Sequence, residues 1–368
     1  MASNGAETRA AGILPGEAIR NLFAAGAIAA PRAPDDDQVQ PASLDLRLGD
    51  VAYRVRASFL PGPGRTVAER LANVKLHEFS LSDGAVLETG CVYIVPLMER
   101  LALPPDLAAA ANPKSSTGRL DVFTRVITDH AREFDTIPAG YQGPLYLEVS
   151  PRTFPVLVRT GSRLSQMRFR RGDAKLDDAA LLTLHQKETL VAGVPHIANG
   201  ITVTIDLSGR DGIVGYRAKR HTAVIDVDKR AAQDPAEFWE PIATHRSREL
   251  ILDPDQFYIL VSREAVHVPP DYAAEMVPFD PLVGEFRVHY AGFFDPGFGH
   301  SAAGGTGSRA VLEVRSHEVP FILEDGQVVG RLVYERLTAR PKQLYGNDLG
   351  SNYQAQGLKL SKHFRPFG

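Results

Sequence analysis

Residues 91–113, CVYIVPLMERLALPPDLAAAANP, and residues 256–278, QFYILVSREAVHVPPDYAAEMVP, are two versions of one segment. Tyr93 aligns with Tyr258, Pro104-Pro105-Asp106 with Pro269-Pro270-Asp271, Glu148 with Glu313, and Pro155 and Gly161 with Pro320 and Gly326, all at one offset of 165 residues. A register held from about residue 91 to 171 identifies a duplicated unit. Two copies of this size are a domain duplication and not a solenoid, and a chain of 368 residues is long enough for two domains.

Working outward, each copy reads as short strands. Residues 43–49, SLDLRLG, alternate cleanly and stop at glycine, and further strand patterns lie at 92–97, 101–107, 145–149, 156–159 and 164–169. Short strands separated by Gly/Pro turns predict an all-β barrel or sandwich. Helices are few: Pro15 to about Ala25, with Ile19, Leu22 and Phe23 on one face, and a turn opened by Asp234 as N-cap with Pro235 behind it. The spacing predicts a first domain over 1–175, a linker over 176–195 with Leu181, Leu182 and Leu184 on a short helix, and a second domain over 196–368 with a tail from about 340. The glycine-rich stretch 297–307 reads as a surface insertion, with a phosphate cradle as the alternative.

Composition narrows the function. The net charge of −3 gives no basic field for nucleic acid, and no apolar run is long enough to span a membrane. One cysteine, Cys91, forbids an intramolecular disulfide and fits a reducing cytoplasm. The chain lacks both the H-x-E and P-C-x-x-C elements of zinc nucleobase deaminases, so no zinc centre of that type is expected.

The chemistry concentrates in residues 112–148. Lys114-Ser115-Ser116-Thr117-Gly118-Arg119 sets two cations around hydroxyls and a glycine, a composition that makes a turn and also suits an anion. Glu148 stands between large apolar residues in a strand pattern, where a carboxylate is costly unless paired or used. In the second copy the hydroxyl run becomes Asp280-Pro281-Leu282-Val283-Gly284-Glu285, whose acids repel phosphate, while Glu313 is retained. The first copy is therefore expected to hold the working site, with Glu313 structural.

These motifs resemble the dCTP deaminase and dUTPase superfamily, in its long tandem-domain form. PASLDLRLGD (41–50) resembles the first family motif, Lys114–Leu120 the phosphate-binding motif R-S-S-x-x-R-L, and Leu147-Glu148 the motif carrying the deaminase's glutamate. Residues 161–169, with Gln166, resemble the following strand, and Tyr345 with 351–357, SNYQAQG, the closing C-terminal segment. The resemblance implies two tandem dUTPase-like distorted β-barrels of the β-clip type with a few short helices. It implies zinc-independent deamination of dCTP to dUTP, supplying dTTP synthesis. It assigns Glu148 as proton shuttle, Ser115 to the water and phosphates, and Arg119 to developing charge. Lys114, Ser116, Gln166, Tyr345, Tyr353 and Gln356 would bind substrate. Mg²⁺ would ride on the triphosphate, dTTP would act as inhibitor, and the chain would be a cytoplasmic homo-oligomer with the second copy supplying wall and lid.

The sequence also departs from the family pattern. Lys114 replaces an arginine, keeping charge without bidentate geometry. Asn352 stands where a tail lysine is common, with Lys359 and Lys362 as candidate replacements. The dUTPase aspartate before a Gly-Tyr-like turn is Pro138 in copy one, whereas copy two has Asp295-Pro296-Gly297-Phe298; Asp135 keeps nucleotide hydrolysis open. The alternatives are a bifunctional enzyme releasing dUMP and a nucleotide-binding regulator without turnover.

Overall fold

The computed structural model describes residues 10–192, 194–209, 212–278, 286–289, 292–316, 318–346 and 357–367. The chain is all-β, and among the described residues its strands are divided among six small sheets in a propeller-like arrangement. Two sheets are built wholly from the first half and three wholly from the second. In the sixth, Val156–Val158 pairs antiparallel with Ala85–Leu87 and parallel with Ile225–Asp226, so a strand of the second half completes a sheet of the first.

The duplication is visible in the topology. In the first half Gln142–Pro151 lies between Val92–Ala102 and Val122–Thr128. In the second, Ser308–Ser316 lies between Phe257–Val266 and Phe286–His289. Glu148 and Glu313 occupy the same place in these sheets, opposite Ile94 and Ile259 respectively. Side chains alternate across a strand. Leu147 and Val149 enter the core of the first half, and Leu312 and Val314 that of the second, so both glutamates point from their own core onto the opposite face.

Those two faces are covered differently. Over Glu148 the chain folds back on itself with Val55, Phe59, Val67, Leu71 and Val74, which form a separate small cluster with Ile94 and Ile127. The helix Val67–Val74 is set by a capping box, Thr66 accepting from the Glu69 amide while the Glu69 carboxylate accepts from the Thr66 amide. The second half carries only the short helical turn Pro235–Phe238 at the corresponding point, capped as expected by Asp234. Its face packs on the first half: Ile225, Phe238, Trp239, Phe257 and Ile259 share one buried cluster with Leu120, Val122, Phe154 and Val156. Trp239 is the hub, with its ring centroid 5.3 Å from Phe154 and 6.0 Å from Phe364.

The first helix is Gly16–Ala24, with Pro15 as its N-cap and Ile19 buried. A helix at Asp178–Lys187 buries Leu181 and Leu184. The 297–307 stretch folds on itself, because a Cβ on Gly305 would lie only 2.4 Å from the Gly299 carbonyl carbon.

Candidate active site

The hydroxyl-rich bend grows from two paired strands. Leu107–Pro113 runs beside Arg163–Arg171 with Asn112 opposite Gln166, and the Lys114 amide donates to the Leu164 carbonyl at 3.0 Å. The chain then makes one helical turn, Ser115–Gly118, in which the Gly118 amide donates to the Lys114 carbonyl at 3.0 Å and the Arg119 amide to the Ser115 carbonyl at 3.1 Å. Gln166 braces this turn from below, its side-chain amide donating to the Pro113 carbonyl at 3.3 Å. Lys114 pairs with the Asp45 carboxylate, which Arg163 also approaches at 3.5 Å.

Arg119, expected beside Glu148, has a different acid. Its Nε lies 3.7 Å from Glu313 Oε1, with the two side chains 3% and 7% exposed. Burial pushes the Glu313 carboxyl up to about 8, against the opposing pull of Arg119. Glu148 is engaged elsewhere: its Oε1 accepts from Arg125 Nε at 3.0 Å and from a terminal nitrogen of the same guanidinium at 2.5 Å. Arg125 is itself held over the Phe134 ring, 3.6 Å from its centroid, and donates to Ser58 Oγ at 2.8 Å. Within one chain, then, Glu148, expected at the bend, meets Arg125, and the carboxylate beside Arg119 is that of Glu313. The carboxylate beside Arg119 comes from the second half because that face docks on the first, whereas the face carrying Glu148 is closed by its own helix.

Asp135, noted from sequence, sits behind Glu148 and not at the bend. Its carboxylate accepts from the Val126 amide at 2.7 Å, and burial raises it to about 7.

The C-terminal segment covers the bend. Arg119 donates to the Lys359 carbonyl at 3.0 Å, and Ser361 Oγ donates to the Ser116 carbonyl at 2.8 Å. The second half pins this segment: the Ala231 amide donates to the Lys362 carbonyl at 2.9 Å and His363 Nε2 lies 2.9 Å from the Val227 carbonyl. Burial lowers the Lys362 ammonium to about 8, with Lys114, Arg230 and Arg163 adding repulsion and Asp45 opposing it. The region is therefore rich in positive charge beside the hydroxyls, as a polyphosphate requires.

Tyr345 lies against the turn at Asp295 instead, its amide donating to the Pro296 carbonyl at 2.8 Å and its ring 5.8 Å from that of Phe298. Asp295 is bound by Arg168 at 3.1 Å, and burial raises its pKa. Tyr353, Gln356 and the second copy's 280–285 lie outside the described residues. Among the described residues no three His, Cys, Asp or Glu side chains converge as a metal site, and no helix is long and apolar enough to cross a membrane.

Sequence reasoning assigned Glu313 a structural role, and one signal pointed the other way. The Asp295-Pro296-Gly297-Phe298 turn precedes Glu313 and the hydroxyl run precedes Arg119, so each copy keeps a different part of the family pattern.

Residues 10–173 match the 2'-deoxycytidine 5'-triphosphate deaminase N-terminal domain, and residues 177–364 match the C-terminal domain of the same family. The dCTP deaminase of Halorubrum lacusprofundi is 35% identical over 137 residues, 36% of this chain and 64% of that protein. The dCTP deaminase of Natronomonas pharaonis is 35% identical over 161 residues, 43% of this chain and 79% of that protein. A Methanobrevibacter smithii protein named dCTP deaminase, dUMP-forming, is 27% identical over 162 residues, covering 43% of this chain and 79% of its own length. The crystal structure of 2'-deoxycytidine 5'-triphosphate deaminase from Agrobacterium tumefaciens superimposes with a TM-score of 0.86 at 69% identity, covering 89% of this chain and all of that one. With its two halves matching the two domains in order, the chain belongs to the 2'-deoxycytidine 5'-triphosphate deaminase family.

Proposed function

We propose that the chain deaminates dCTP to dUTP at a composite site, in which the first half grips the triphosphate and the second half supplies the proton carrier, Glu313. The observation that carries this is the buried approach of Arg119 to Glu313 beside the Ser115–Gly118 turn. Water attacks C4 of the cytosine and gives up a proton, while N3 receives one; the amino group, protonated in turn, leaves as ammonia and the C4 carbonyl forms. A single carboxyl group can relay these protons when its pKa lies near the working pH, and Glu313, raised to about 8, meets that condition. Arg119 steadies the ionised half of the cycle and the charge that develops on the ring. Ser115, Ser116 and Lys114 take phosphate oxygens, with Lys362 and Arg230 close enough to share the load.

The proton work is assigned to the carboxylate, with no protein-bound zinc, and Mg²⁺ is placed on the substrate's phosphates, where hard oxygen ligands suit it. The assignment also treats 1–175 and 196–368 as dUTPase-like distorted barrels joined at 176–195, dTTP as a competitor for the same grip, and the working form as a homo-oligomer.

A second reading, release of dUMP and pyrophosphate, draws on the relative named dUMP-forming and on the buried Asp295, whose ionisation senses Asp45 and Lys114 beside the bend. Incubation with dCTP, an ammonia assay and chromatography of the nucleotides separate the outcomes. Ammonia with dUTP supports the first reading, ammonia with dUMP and pyrophosphate the second, and unchanged dCTP sinks both.

A further inference from the structure

Two residues beyond each member of the Arg119–Glu313 pair stands a residue of opposite charge. Asp121 follows Arg119 in the bend, and Arg315 follows Glu313 on its strand. Residues two apart on a strand share a face, so Arg315 points the same way as Glu313, toward the first half. There Arg315 donates to the Asp121 carboxylate and, at 3.0 Å, to Thr153 Oγ1. Thr153 donates to the same carboxylate at 2.5 Å, which leaves its oxygen open to Arg315.

Both ends of this contact are anchored. Asp121 is 1% exposed and sits in the left-handed region at φ 55°, a conformation that aspartate tolerates better than most residues. Its amide donates to the Gly118 carbonyl at 2.9 Å and its carbonyl accepts from the Arg152 amide at 2.9 Å. Arg315 is fixed from the other side by donating to the Asp255 carbonyl at 2.6 Å. The interface therefore carries two adjacent ion pairs of reversed polarity, acid over base and base over acid. Sliding the strand by one such step would oppose Glu313 to Asp121, or Arg315 to Arg119.

We infer that Asp121, Thr153 and Arg315 form a latch that holds Glu313 in register with Arg119 while Glu313 changes its protonation. The inference rests on the composite site proposed above. A proton carrier is neutral for part of each cycle, and in that state the attraction between Glu313 and Arg119 lapses. The Asp121–Arg315 contact is hydrogen-bonded and stands outside the proton relay, so it can maintain the alignment through the neutral phase. A misplacement of the order of 1 Å at a reacting group can cost about a hundredfold in rate. Asp121, Thr153 and Arg315 are thus positioning residues.

The test compares Asp121→Asn, Arg315→Met and Arg315→Lys, using dCTP as substrate. Asp121→Asn and Arg315→Met are each expected to lose about ten- to a hundredfold in kcat with KM within about threefold, and Arg315→Lys, which keeps the charge without the planar fork, is expected to recover part of the loss. Thr153→Val keeps both charges and gives a milder variant, with a loss of about three- to tenfold. Circular dichroism and melting curves identify any variant whose folded fraction is reduced. Asp121→Asn and Arg315→Met that remain folded with unchanged kcat would overturn the latch, as would a folded Arg315→Lys no more active than Arg315→Met. A fully active Glu313→Gln would overturn the composite site instead, so the two failures are distinguishable.

Discussion

The surroundings of Glu148 and Glu313 are a controlled comparison within one molecule. Both acids lie on the central strand of duplicated sheets, opposite an isoleucine, and both are almost completely buried. Glu148 is enclosed by its own half: Arg125 binds it in two hydrogen bonds, Phe134 backs the guanidinium, and the helix Val67–Val74 closes the face. Glu313 is enclosed by the other half, where a guanidinium approaches at 3.7 Å and no closer, next to a hydroxyl-rich turn. A buried acid held by a close, two-point partner has its oxygen committed to that partner. One met by a more distant cation keeps access to both forms, as proton transfer requires. The covering layer, more than the local sequence, sets which cation each acid meets.

The sharpest way to break this comparison is to neutralise each acid. Glu313→Gln is expected to lower kcat by roughly a hundred- to ten-thousandfold while nucleotide still binds, and Glu148→Gln to leave kcat within about threefold, both read as ammonia release. The opposite ranking would return the chemistry to the first half.

The partner arginines extend the contrast. Removing one member of a buried pair strands the other, at a typical cost of about 3–5 kcal/mol. Arg125→Leu, whose side chain is 24% exposed, should fall at or below the low end of that range, with normal turnover where it stays folded. Arg119→Leu should abolish turnover with a smaller change in stability, because Glu313 can then remain neutral. Denaturant melts beside kcat measurements check the crossed pattern.

The pH dependence sharpens the electrostatics. The Glu313 pKa rises from 4.5 to about 8 on folding, so between those values the folded chain holds a proton that the unfolded chain has lost. That contribution to stability is complete below about pH 4.5 and fades as pH rises through 8. Relative to Glu313→Gln, the wild type should lose stability on the order of 1 kcal/mol per pH unit across this window. Parallel melting curves for the two proteins would break the assignment if their separation did not change with pH.

The smallest effect concerns the covering tail. Ser361→Ala removes the hydrogen bond to the bend and the 2.9 Å contact with His363 Nδ1, each worth about 0.5–1.5 kcal/mol. KM for dCTP is expected to rise about two- to tenfold with little change in kcat; unchanged KM would show that the tail contact does not report on substrate binding.

Much of this was legible in the sequence. The repeat register, the strand alternation around 43–49, the cap at Asp234 and the anion-binding composition of 114–119 all follow from local rules. The capping box Thr66–Glu69 was equally local, but its helix went unread although it decides the fate of Glu148. The pairing of Arg119 with Glu313 is of another kind. It depends on which face of one half docks on the other, through contacts such as Phe154 on Trp239 that lie 85 residues apart and leave no periodic trace. The repeat puts an equivalent glutamate in each half, and tertiary packing sets which of them meets Arg119.

The parallel pairing of Val156–Val158 with Ile225–Asp226 stitches one repeat into the other's sheet. Fusion of the repeats thereby fixes their stoichiometry at one to one, and every first half is synthesised together with the strand that completes its sheet. A gene split near residue 190 would have to reassemble that seam from two separate polypeptides, at a rate and yield limited by their concentrations.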